Sequence, residues 1–281
     1  MVSVHRRAGR QPAGDDRRGG SNQVNALAAE LARSLDPLVD NLVLFETVDS
    51  THLVALRLID QVDVEGLVLR PTVVIADAQR IGVGRGGRRW VSPPGGLYLS
   101  WLSSAVSDHV VARLPMLAAA AACLALADAG VDEAGIKWPN DLLVDDRKLA
   151  GILVHCRRGT VNRVTVSLGV NVVPIIAPVE GASRPPISLA EVIGAEAATP
   201  ARTGVAVGFV RRLVEAIADP APALERWRRR LVHRTGDQIS VRTAAGAIET
   251  GTFAGLTDEG FLRLGQGPGE RVISGGDVVE S

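Results

Sequence analysis

Arginine and glycine are interleaved in the segment QRIGVGRGGRRWVSPPGG, residues 79–96, a composition suited to anion binding. A glycine-rich backbone lets amide groups approach a ligand closely, and Arg85 and Arg88 can neutralise phosphates or carboxylates. The segment is not a Walker loop, because no Gly-Lys-Ser/Thr follows it. It also differs from RGG tracts, since the motif does not repeat and aromatic residues are not interleaved. An anion site and a merely exposed, flexible loop are both consistent with this segment alone.

The two lysines of the chain, Lys137 and Lys148, are further candidates for an anion site. The 31 cationic residues comprise 29 arginines and only these two lysines. Lysine is a compact charge with three donors and arginine is a planar fork, so the two are poor substitutes at a tight site. Chance would also explain this usage, but the pattern marks both lysines as site candidates.

Each lysine lies in a motif with further polar groups or small residues. Lys137 begins KWPND, in which Pro139 disfavours helical backbone at the residue before it. Asn140 and Asp141 should therefore project from a rigid bend. Lys148 lies in RKLAGIL, where an Ala-Gly pair permits close packing against another group. Taken alone, either motif could also be an ordinary part of a strand.

Two shorter motifs lie at or within predicted strands. DST, residues 49–51, follows a strand, although such triplets commonly cap helices. SLGVNV, residues 167–172, places Gly169 and Asn171 in an otherwise apolar strand. That composition indicates a bulge or a backbone close to a binding site.

The composition excludes several classes of protein. The chain has 281 residues, 46% of them hydrophobic and 22% charged, with a formal net charge of zero. These values are typical of a globular protein and disfavour an RNA-binding module, which would need a basic surface. Two cysteines, Cys123 and Cys156, are too few for a disulfide framework. No apolar run approaches the roughly 18 residues of a membrane span and no secretory signal is visible, so we expect a cytoplasmic protein.

The hydrophobic pattern predicts two domains and an N-terminal tail. Residues 1–22 contain almost nothing to bury, so we predict that they are disordered. Mixed helical and strand periodicity predicts one domain over residues 23–232. Short alternating strands with glycine-rich turns predict a small β-barrel over residues 233–281. The predicted elements are helices at 24–35 and 115–130, strands at 41–48, 67–77, 96–102 and 162–173, a hairpin at 141–156, and two helices within 204–232 separated by DPAP.

In this order the motifs resemble those of biotin protein ligases. That family has Ser-Thr-Asn after its first strand, then Gln and a Gly-Arg-Gly-Arg loop ending in Gly-Arg-x-Trp-x-Ser-Pro. Lys-Trp-Pro-Asn-Asp, Lys-Leu-Ala-Gly-Ile-Leu, a Gly-x-Asn-Val strand and a small barrel follow. The resemblance covers about residues 40–281, and KWPND followed six residues later by KLAGIL is highly specific. It implies an α+β fold: a class II aminoacyl-tRNA synthetase-like catalytic domain, with a mixed sheet and flanking helices, and a C-terminal SH3-like β-barrel.

The resemblance also implies a reaction in two steps. The carboxylate of biotin attacks the α-phosphate of MgATP to give biotinyl-AMP, and a lysine of a biotin carboxyl carrier protein then takes the biotinyl group. The implied substrates are biotin and ATP, with Mg²⁺ entering alongside ATP. The implied partner is the carrier of an acyl-CoA carboxylase such as acetyl-CoA carboxylase. We expect neither DNA nor a membrane as a partner, and a weak homodimer is left open.

Residue roles follow from the resemblance and from charge. The biotin-binding residues would be Ser50, Thr51, His52, Gln79, Gly82, Val83, Gly84, Arg85 and Lys148. The ATP- and adenylate-binding residues would be Arg85, Arg88, Trp90, Lys137, Asn140, Lys148 and Asn171, and no side chain is predicted to bind a metal. A carboxylate and a phosphate about 4 Å apart repel by roughly 4 kcal/mol at an effective dielectric near 20, so Arg85, Arg88 and Lys148 are assigned to cancel that repulsion. The acceptor lysine must lose a proton before it attacks, and Asp141 is the candidate base. Lys148, Arg85 and Asp141 are therefore the predicted catalytic residues.

The chain departs from the family pattern at three positions. His52 stands where the family has Asn, Val83 replaces the first loop arginine, and His155 stands where a Glu is frequent. These departures leave open a degenerate paralogue that binds biotin or its adenylate without ligating it. A lipoate or octanoate transferase on the related fold is a further alternative, which the intact KWPND and the C-terminal barrel disfavour.

Overall fold

The computed structural model describes residues 2–5, 29–104, 106–176, 184–243, 245–267 and 269–279. In chain order, its first ten strands are β1 (Val2–His5), β2 (Asn41–Val48), β3 (Thr72–Gln79), β4 (Gly82–Val83), β5 (Arg89–Trp90), β6 (Leu97–Ser104), β7 (Gly135–Lys137), β8 (Asp141–Val144), β9 (Arg147–Arg157) and β10 (Arg163–Val170). Eight of them form one sheet in the order β1-β2-β3-β6-β10-β9-β8-β7, and β4 pairs with β5. β2 and β3 run parallel and the other neighbours in the sheet are antiparallel, so the sheet is mixed, as predicted.

Helices cover both faces of this sheet. α1 covers residues 29–35 of the helix predicted at 24–35, and residues 24–28 lie outside the described residues. The others are α2 (Thr51–Val64), α3 (Asp108–Val111), α4 (Leu114–Asp128), α5 (Leu189–Ile193), α6 (Ala195–Ala218) and α7 (Pro220–Arg230). Because side chains alternate along a strand, each face of the sheet has its own core. On β3, Val73 and Ile75 join the large core with α4, α6 and α7, whereas Val74 packs with Ala55 and Ile59 of α2.

The predicted helix at 115–130 is confirmed as α4. Its residues are apolar on all sides, and most of them are buried between the sheet, α6 and α7. Pro115 lies in the first turn, where its missing N–H is not needed, and Gly130 follows the helix with φ of 89°. The predicted hairpin at 141–156 is confirmed as β8 and β9, with Asp145 and Asp146 at φ of 48° and 59° in the turn.

The C-terminal strands form a second sheet. They are β11 (Gln238–Thr243), β12 (Ile248–Leu256), β13 (Leu262–Gln266), β14 (Gly269–Ile273) and β15 (Gly276–Val279), in the antiparallel order β14-β13-β12-β11-β15. This C-terminal β-domain packs directly on the first domain. Trp138 Nε1 donates to the carbonyl of Gly260 at 2.9 Å. A Cβ on Gly260 would lie 2.2 Å from Met116 Sδ, so α4 and the β-domain are in close contact.

Two predictions about loops need correction. Val2–His5 form β1, whereas disorder was predicted for residues 1–22; the open edge of β2 supplies backbone partners for this segment. The rest of that tail, residue 1 and residues 6–22, lies outside the described residues. The segment 79–96 is not a flexible loop throughout, because Gly82 pairs with Trp90 and Val83 with Arg89. Arg85–Gly87 form a single 3₁₀ turn between these two short strands.

The helix predictions also need adjustment. α6 begins at Ala195, immediately after Gly194 with φ of 87°, and not near residue 204. Only Asp219 separates α6 from α7, because Pro220 is accommodated at the start of α7. α2 was not predicted, since its partly buried Val54, Leu58 and Val62 form a stripe that becomes evident only against the sheet.

Candidate active site

The candidate site is a cleft, partly open to solvent, on the face of the large sheet that also carries α2. β9 and β10 lie beneath it, the start of α2 closes one end, and β4 and β5 cover it. Most predicted site residues line this cleft: Ser50, Thr51, His52, Gln79, Val83, Gly84, Arg85, Arg88, Trp90, Asn140, Asp141, Lys148 and Asn171.

Uncharged polar side chains form the end of the cleft next to α2. We call this group the head pocket; it consists of Ser50, Thr51, Gln79, Ser100 and Ser167. The Thr51 backbone N–H donates to Gln79 Oε1 at 2.8 Å, and Gln79 Nε2 donates to Ser92 Oγ at 2.9 Å. These bonds hold the Gln79 amide in one orientation. The Oγ of Ser50 is buried and has no hydrogen-bond partner among the described residues.

The hydroxyls of the head pocket form a directed series of hydrogen bonds, in which Ser100 is fully buried below the residues that line the cleft. Ser100 Oγ donates to Thr51 Oγ1 at 2.9 Å. Because a hydroxyl has one proton, Ser100 must accept from Ser167 Oγ at 2.8 Å, and Ser167 must accept from His52 Nδ1 at 2.9 Å. The direction of the chain therefore requires that His52 carries a proton on Nδ1.

His52 is neutral near pH 7. Burial lowers its pKa to about 4, and the nearby His155 acts in the same direction. The two imidazole rings meet edge to face, with centroids 6.2 Å apart. A neutral imidazole has a single N–H, which His52 uses for Ser167. The histidine that departs from the family pattern thus takes part in ordering the head pocket.

Cationic side chains line the other part of the cleft. We call Arg85, Arg88 and Lys148 the cationic wall. Lys148 Nζ lies 2.7 Å from Asp141 Oδ1, in a pair whose side chains are only 23% and 15% exposed. The same ammonium lies 5.1 Å from the centroid of the Trp90 ring. Arg85 Nη1 donates to Asn140 Oδ1 at 3.3 Å, so KWPND, KLAGIL and the Gly-Arg segment meet here.

The indole of Trp90 lies against two glycines of the sheet. Gly151 and Gly169 are cross-strand neighbours on β9 and β10. A Cβ on Gly169 would lie 2.8 Å from Trp90 Nε1, and a Cβ on Gly151 would lie 3.0 Å from its Cζ3. Close packing at the Ala-Gly pair and at Gly169 was predicted, and Trp90 is the packing partner.

Asn171 and Gly82 support the cleft through the backbone. Asn171 lines the cleft, but its Nδ2 donates to the carbonyls of Lys148 and Ile187 at 3.0 and 3.2 Å. It therefore holds the strand that carries Lys148. Gly82 does not line the cleft; a Cβ there would lie 2.3 Å from the Trp90 carbonyl oxygen, so glycine is needed for β4 and β5 to pair.

The structure does not bring Lys137 into the cleft. Its side chain is buried and lines a second cavity, beside His233 and residues of the C-terminal β-domain. Burial lowers the pKa of Lys137, while the Asp141 carboxylate acts in the opposite direction. A direct contact between Lys137 and a nucleotide stays a prediction, to which this placement adds no support.

Sequence reasoning missed several residues of the site. Ser92, Ser100 and Ser167 complete the hydrogen bonds of the head pocket, and Tyr98 and Arg184 line the cleft. The available signal was a serine inside an otherwise apolar strand, in LYLSWL and in VTVSLG. It was insufficient because the pairing of Ser100 with Ser167 depends on the register between β6 and β10.

The described residues offer neither a cluster of metal-binding side chains nor a membrane-spanning helix. Among them, no group of three or more His, Cys, Asp or Glu side chains is placed to hold a metal ion. No helix in the described ranges has the length and apolar character needed to cross a membrane.

Two family models match the chain. Residues 44–172 match the Biotin/lipoate A/B protein ligase family. Residues 236–279 match the Biotin protein ligase C terminal domain. The first match contains the motifs that line the cleft, and the second covers nearly all of the C-terminal β-domain.

Relatives and solved structures agree with these matches. A biotin–[acetyl-CoA-carboxylase] ligase of Paracoccus denitrificans is 34% identical, over 78% of this chain and 96% of its own length. A protein of the same name from Mycobacterium tuberculosis is 29% identical, over 77% of this chain and 80% of its own length. The structure of a biotin protein ligase from Aquifex aeolicus in complex with biotin and ATP has a TM-score of 0.62 at 22% identity, over 84% of this chain and 97% of that one. This last likeness shows the shared fold.

Proposed function

The chain belongs to the biotin protein ligases, and we propose that its cleft joins biotin and ATP into biotinyl-5′-AMP and then transfers the biotinyl group to one lysine of a biotin carboxyl carrier protein. It is a ligase with the class II aminoacyl-tRNA synthetase-like fold of these enzymes. Its function is the ligation of biotin to a carboxylase, as the names of its relatives indicate, and the solved neighbour that holds biotin and ATP supports ATP as the second substrate. The residue roles below are the finer part of the proposal.

One observation carries the assignment: the head pocket and the cationic wall meet in a single cleft. Biotin has the same two parts, an uncharged ureido head and a carboxylate on a flexible chain. The unpartnered Ser50 Oγ can hydrogen-bond the ureido group, next to Thr51 and Gln79. A buried polar group without a partner costs about 1–3 kcal/mol, which a ligand recovers when it supplies that partner. The Trp90 ring supplies apolar surface along the cleft.

The cationic wall supports the first chemical step. A carboxylate oxygen of biotin attacks the α-phosphorus of ATP, the bond to the β-phosphate oxygen breaks, and pyrophosphate leaves. Both reactants are anions, so Lys148, Arg85 and Arg88 would cancel their repulsion and hold them in line. Asn140 accepts a hydrogen bond from Arg85 and so orients that guanidinium toward the cleft. Mg²⁺ would enter with the phosphates of ATP.

Asp141 supports the second step. The lysine amine of the carrier attacks the acyl carbon of biotinyl-AMP, an amide bond forms, and AMP leaves. The lysine must first lose a proton, and a carboxylate at the cleft can orient the ammonium and accept that proton. Asp141 lines the cleft and is our candidate for this role, and before the carrier binds its carboxylate pairs with Lys148 at 2.7 Å. The carrier lysine would share the carboxylate with Lys148.

The departures from the family pattern leave these groups in place. Val83 lines the cleft without a charge, but Arg85, Arg88 and Lys148 remain. His52 lines the cleft and donates to Ser167, so its buried nitrogen has a partner. These observations favour an active ligase over a paralogue that only binds biotin.

The test is direct. The protein is incubated with biotin, MgATP and a biotin carboxyl carrier domain, and the carrier is weighed by intact mass spectrometry. We expect a gain of one biotinyl group, and no gain on a carrier in which the acceptor lysine is replaced by arginine. Adenylate formation without any gain on the carrier would identify a binding-only paralogue. A gain of an octanoyl or lipoyl group from a thioester donor, with release of the thiol, and no gain with biotin and MgATP would identify a transferase.

A further inference from the structure

A carboxylate of the C-terminal β-domain lies against the cationic wall. Asp277 Oδ2 is 2.9 Å from Arg88 Nη2, and Asp277 Oδ1 is 3.6 Å from Arg85 Nη1. The three side chains are 27%, 41% and 29% exposed, so the group is partly shielded from water. Asp277 is not itself among the residues that line the cleft. It therefore binds the two arginines from outside the space that a substrate would fill.

The position of Asp277 is set by the β-domain. On β15, Asp277 is the cross-strand partner of Arg242 on β11. The residue before it, Gly276, has φ of 155°, and a Cβ there would lie 2.4 Å from the Arg242 carbonyl oxygen. This tight packing restricts movement of β15. We call the turn that carries Arg85 and Arg88 the arginine segment. It is freer to move, because a Cβ built on Gly86 or Gly87 would have no atom within 4 Å.

Asp277 and a phosphate would compete for the same donors. Arg85 and Arg88 supply the two guanidinium groups of the cationic wall. The carboxylate of Asp277 binds some of their N–H groups, which are then not available to a phosphate. A phosphate entering the cleft carries the same sign of charge as Asp277 and would be repelled by it. Binding of the nucleotide must therefore weaken the contact with Asp277. Without a nucleotide, the same contact holds the arginine segment over the cleft.

We propose that Asp277 holds Arg85 and Arg88 against the C-terminal β-domain in the nucleotide-free enzyme, and that a phosphate of ATP, which binds these arginines from within the cleft, releases them from it. The inference rests on the proposed function, since it takes ATP as the displacing anion. It assigns the β-domain a direct part in setting the affinity for ATP. The contact with Asp277 lowers the affinity for ATP, but it keeps the arginine segment ordered before the nucleotide binds.

The kinetic test uses Asp277→Asn in the full-length enzyme. With biotin present, the KM for MgATP in pyrophosphate release should fall about two- to fivefold, because partly exposed ion pairs contribute modestly, while kcat stays unchanged. Asp258→Asn is the matched control: Asp258 also joins the β-domain to the first domain, through Arg228 at 3.5 Å, but lies apart from the cleft-lining arginines. That control should leave the KM unchanged.

In an Arg88→Ala background, Asp277→Asn should lower the KM by less than about twofold, because the two residues are coupled. A KM that rises or stays the same in Asp277→Asn overturns the proposal.

Limited trypsin digestion tests the same contact without catalysis. In the ligand-free protein, cleavage after Arg85 and Arg88 should be about two- to fivefold faster in Asp277→Asn than in the wild type, and Asp258→Asn should match the wild type. Faster cleavage in a protein that shows no biotin-dependent turnover would refute the proposed function and keep the holding role of Asp277. Equal cleavage in a fully active enzyme would refute the holding role and keep the proposed function. Equal melting temperatures of wild type and variant show that global unfolding is not the cause.

Discussion

The head pocket and the cationic wall lie in one cleft but use different interactions. In the head pocket, Thr51, Ser100 and Ser167 are 3%, 0% and 9% exposed, and their hydroxyls form one hydrogen-bonded chain. In the cationic wall, Arg88 is 41% exposed and each cation already lies near a carboxylate. The hydroxyls of the head pocket are buried and uncharged, whereas the cationic wall is charged and partly exposed.

Because of this difference, we expect the head pocket to determine which ligand binds and the cationic wall to determine the rate of adenylation. A mismatched ligand in the head pocket would leave buried polar groups without partners, which water cannot reach to replace. A lost contact in the cationic wall is partly replaced by water and screened by salt, so it weakens binding less. The same cations have a large effect on the rate of adenylation, because in that step they offset the repulsion between the carboxylate of biotin and the phosphates of ATP. We therefore expect changes in the head pocket to affect biotin affinity, and changes in the cationic wall to affect ATP and the reaction rate.

Lys148→Ala should have the largest effect, on the side of the cationic wall. Adenylation should slow by about 100- to 1,000-fold, because the ammonium that cancels the repulsion between the reactants is removed. The measurement is pyrophosphate release with biotin and MgATP. Arg147→Ala is the control on the same strand, since Arg147 does not itself line the cleft and pairs with Glu191 at 2.8 Å. Release near the wild-type rate in Lys148→Ala would show that Lys148 is not catalytic.

Asp141→Asn should affect the transfer step more than adenylation. Transfer from synthetic biotinyl-AMP to the carrier should slow by about 100-fold, because the amide cannot accept the proton of the lysine. Asp145→Asn is the matched control, since Asn tolerates the φ of 48° found at that turn. Normal transfer from the supplied adenylate would mean that Asp141 is not the base.

Ser100→Ala tests the head pocket. The change leaves Thr51 and Ser167 without a shared partner, so biotin affinity should fall about five- to tenfold while the KM for MgATP changes less than twofold. Calorimetry gives the first quantity and pyrophosphate release the second. Ser103→Ala is the control on the same strand, because Ser103 Oγ forms just a long hydrogen bond, to the Ser104 carbonyl at 3.4 Å, within the described part of the chain. An equal loss for both ligands would contradict the division of the cleft into two parts.

Val83→Arg should have the smallest effect. It tests whether a further cation in the cleft that joins the head pocket and the cationic wall strengthens the binding of biotin. Restoring the family residue adds a partly exposed cation to the cleft, so biotin should bind about two- to fivefold more tightly. Val83→Leu keeps the position apolar and should leave affinity unchanged. No gain from Val83→Arg would show that this position acts through its backbone alone. Loss of activity would show that the cleft requires an apolar side chain here.

Local sequence patterns determined a large part of this protein. β2, α4 and the β8–β9 hairpin were predicted because each depends on periodicity, turn residues and capping within one short segment. The motifs also indicated the chemistry of the cleft, since an anion site needs cations on a backbone that can approach a ligand. Most of the residues predicted from them do line one cleft.

The tertiary structure decided what depends on distant segments meeting. The register of β6 with β10 places Ser100 opposite Ser167 and so creates the hydrogen-bonded chain of the head pocket. The contact between the domains brings Asp277 to Arg85 and Arg88, residues separated from it by most of the chain. It also places Lys137 in a second cavity, although the motif around it suggested the cleft. A sequence pattern records which residues are polar or charged, but only packing and strand register determine which of those groups face each other, because both are set by residues far apart along the chain.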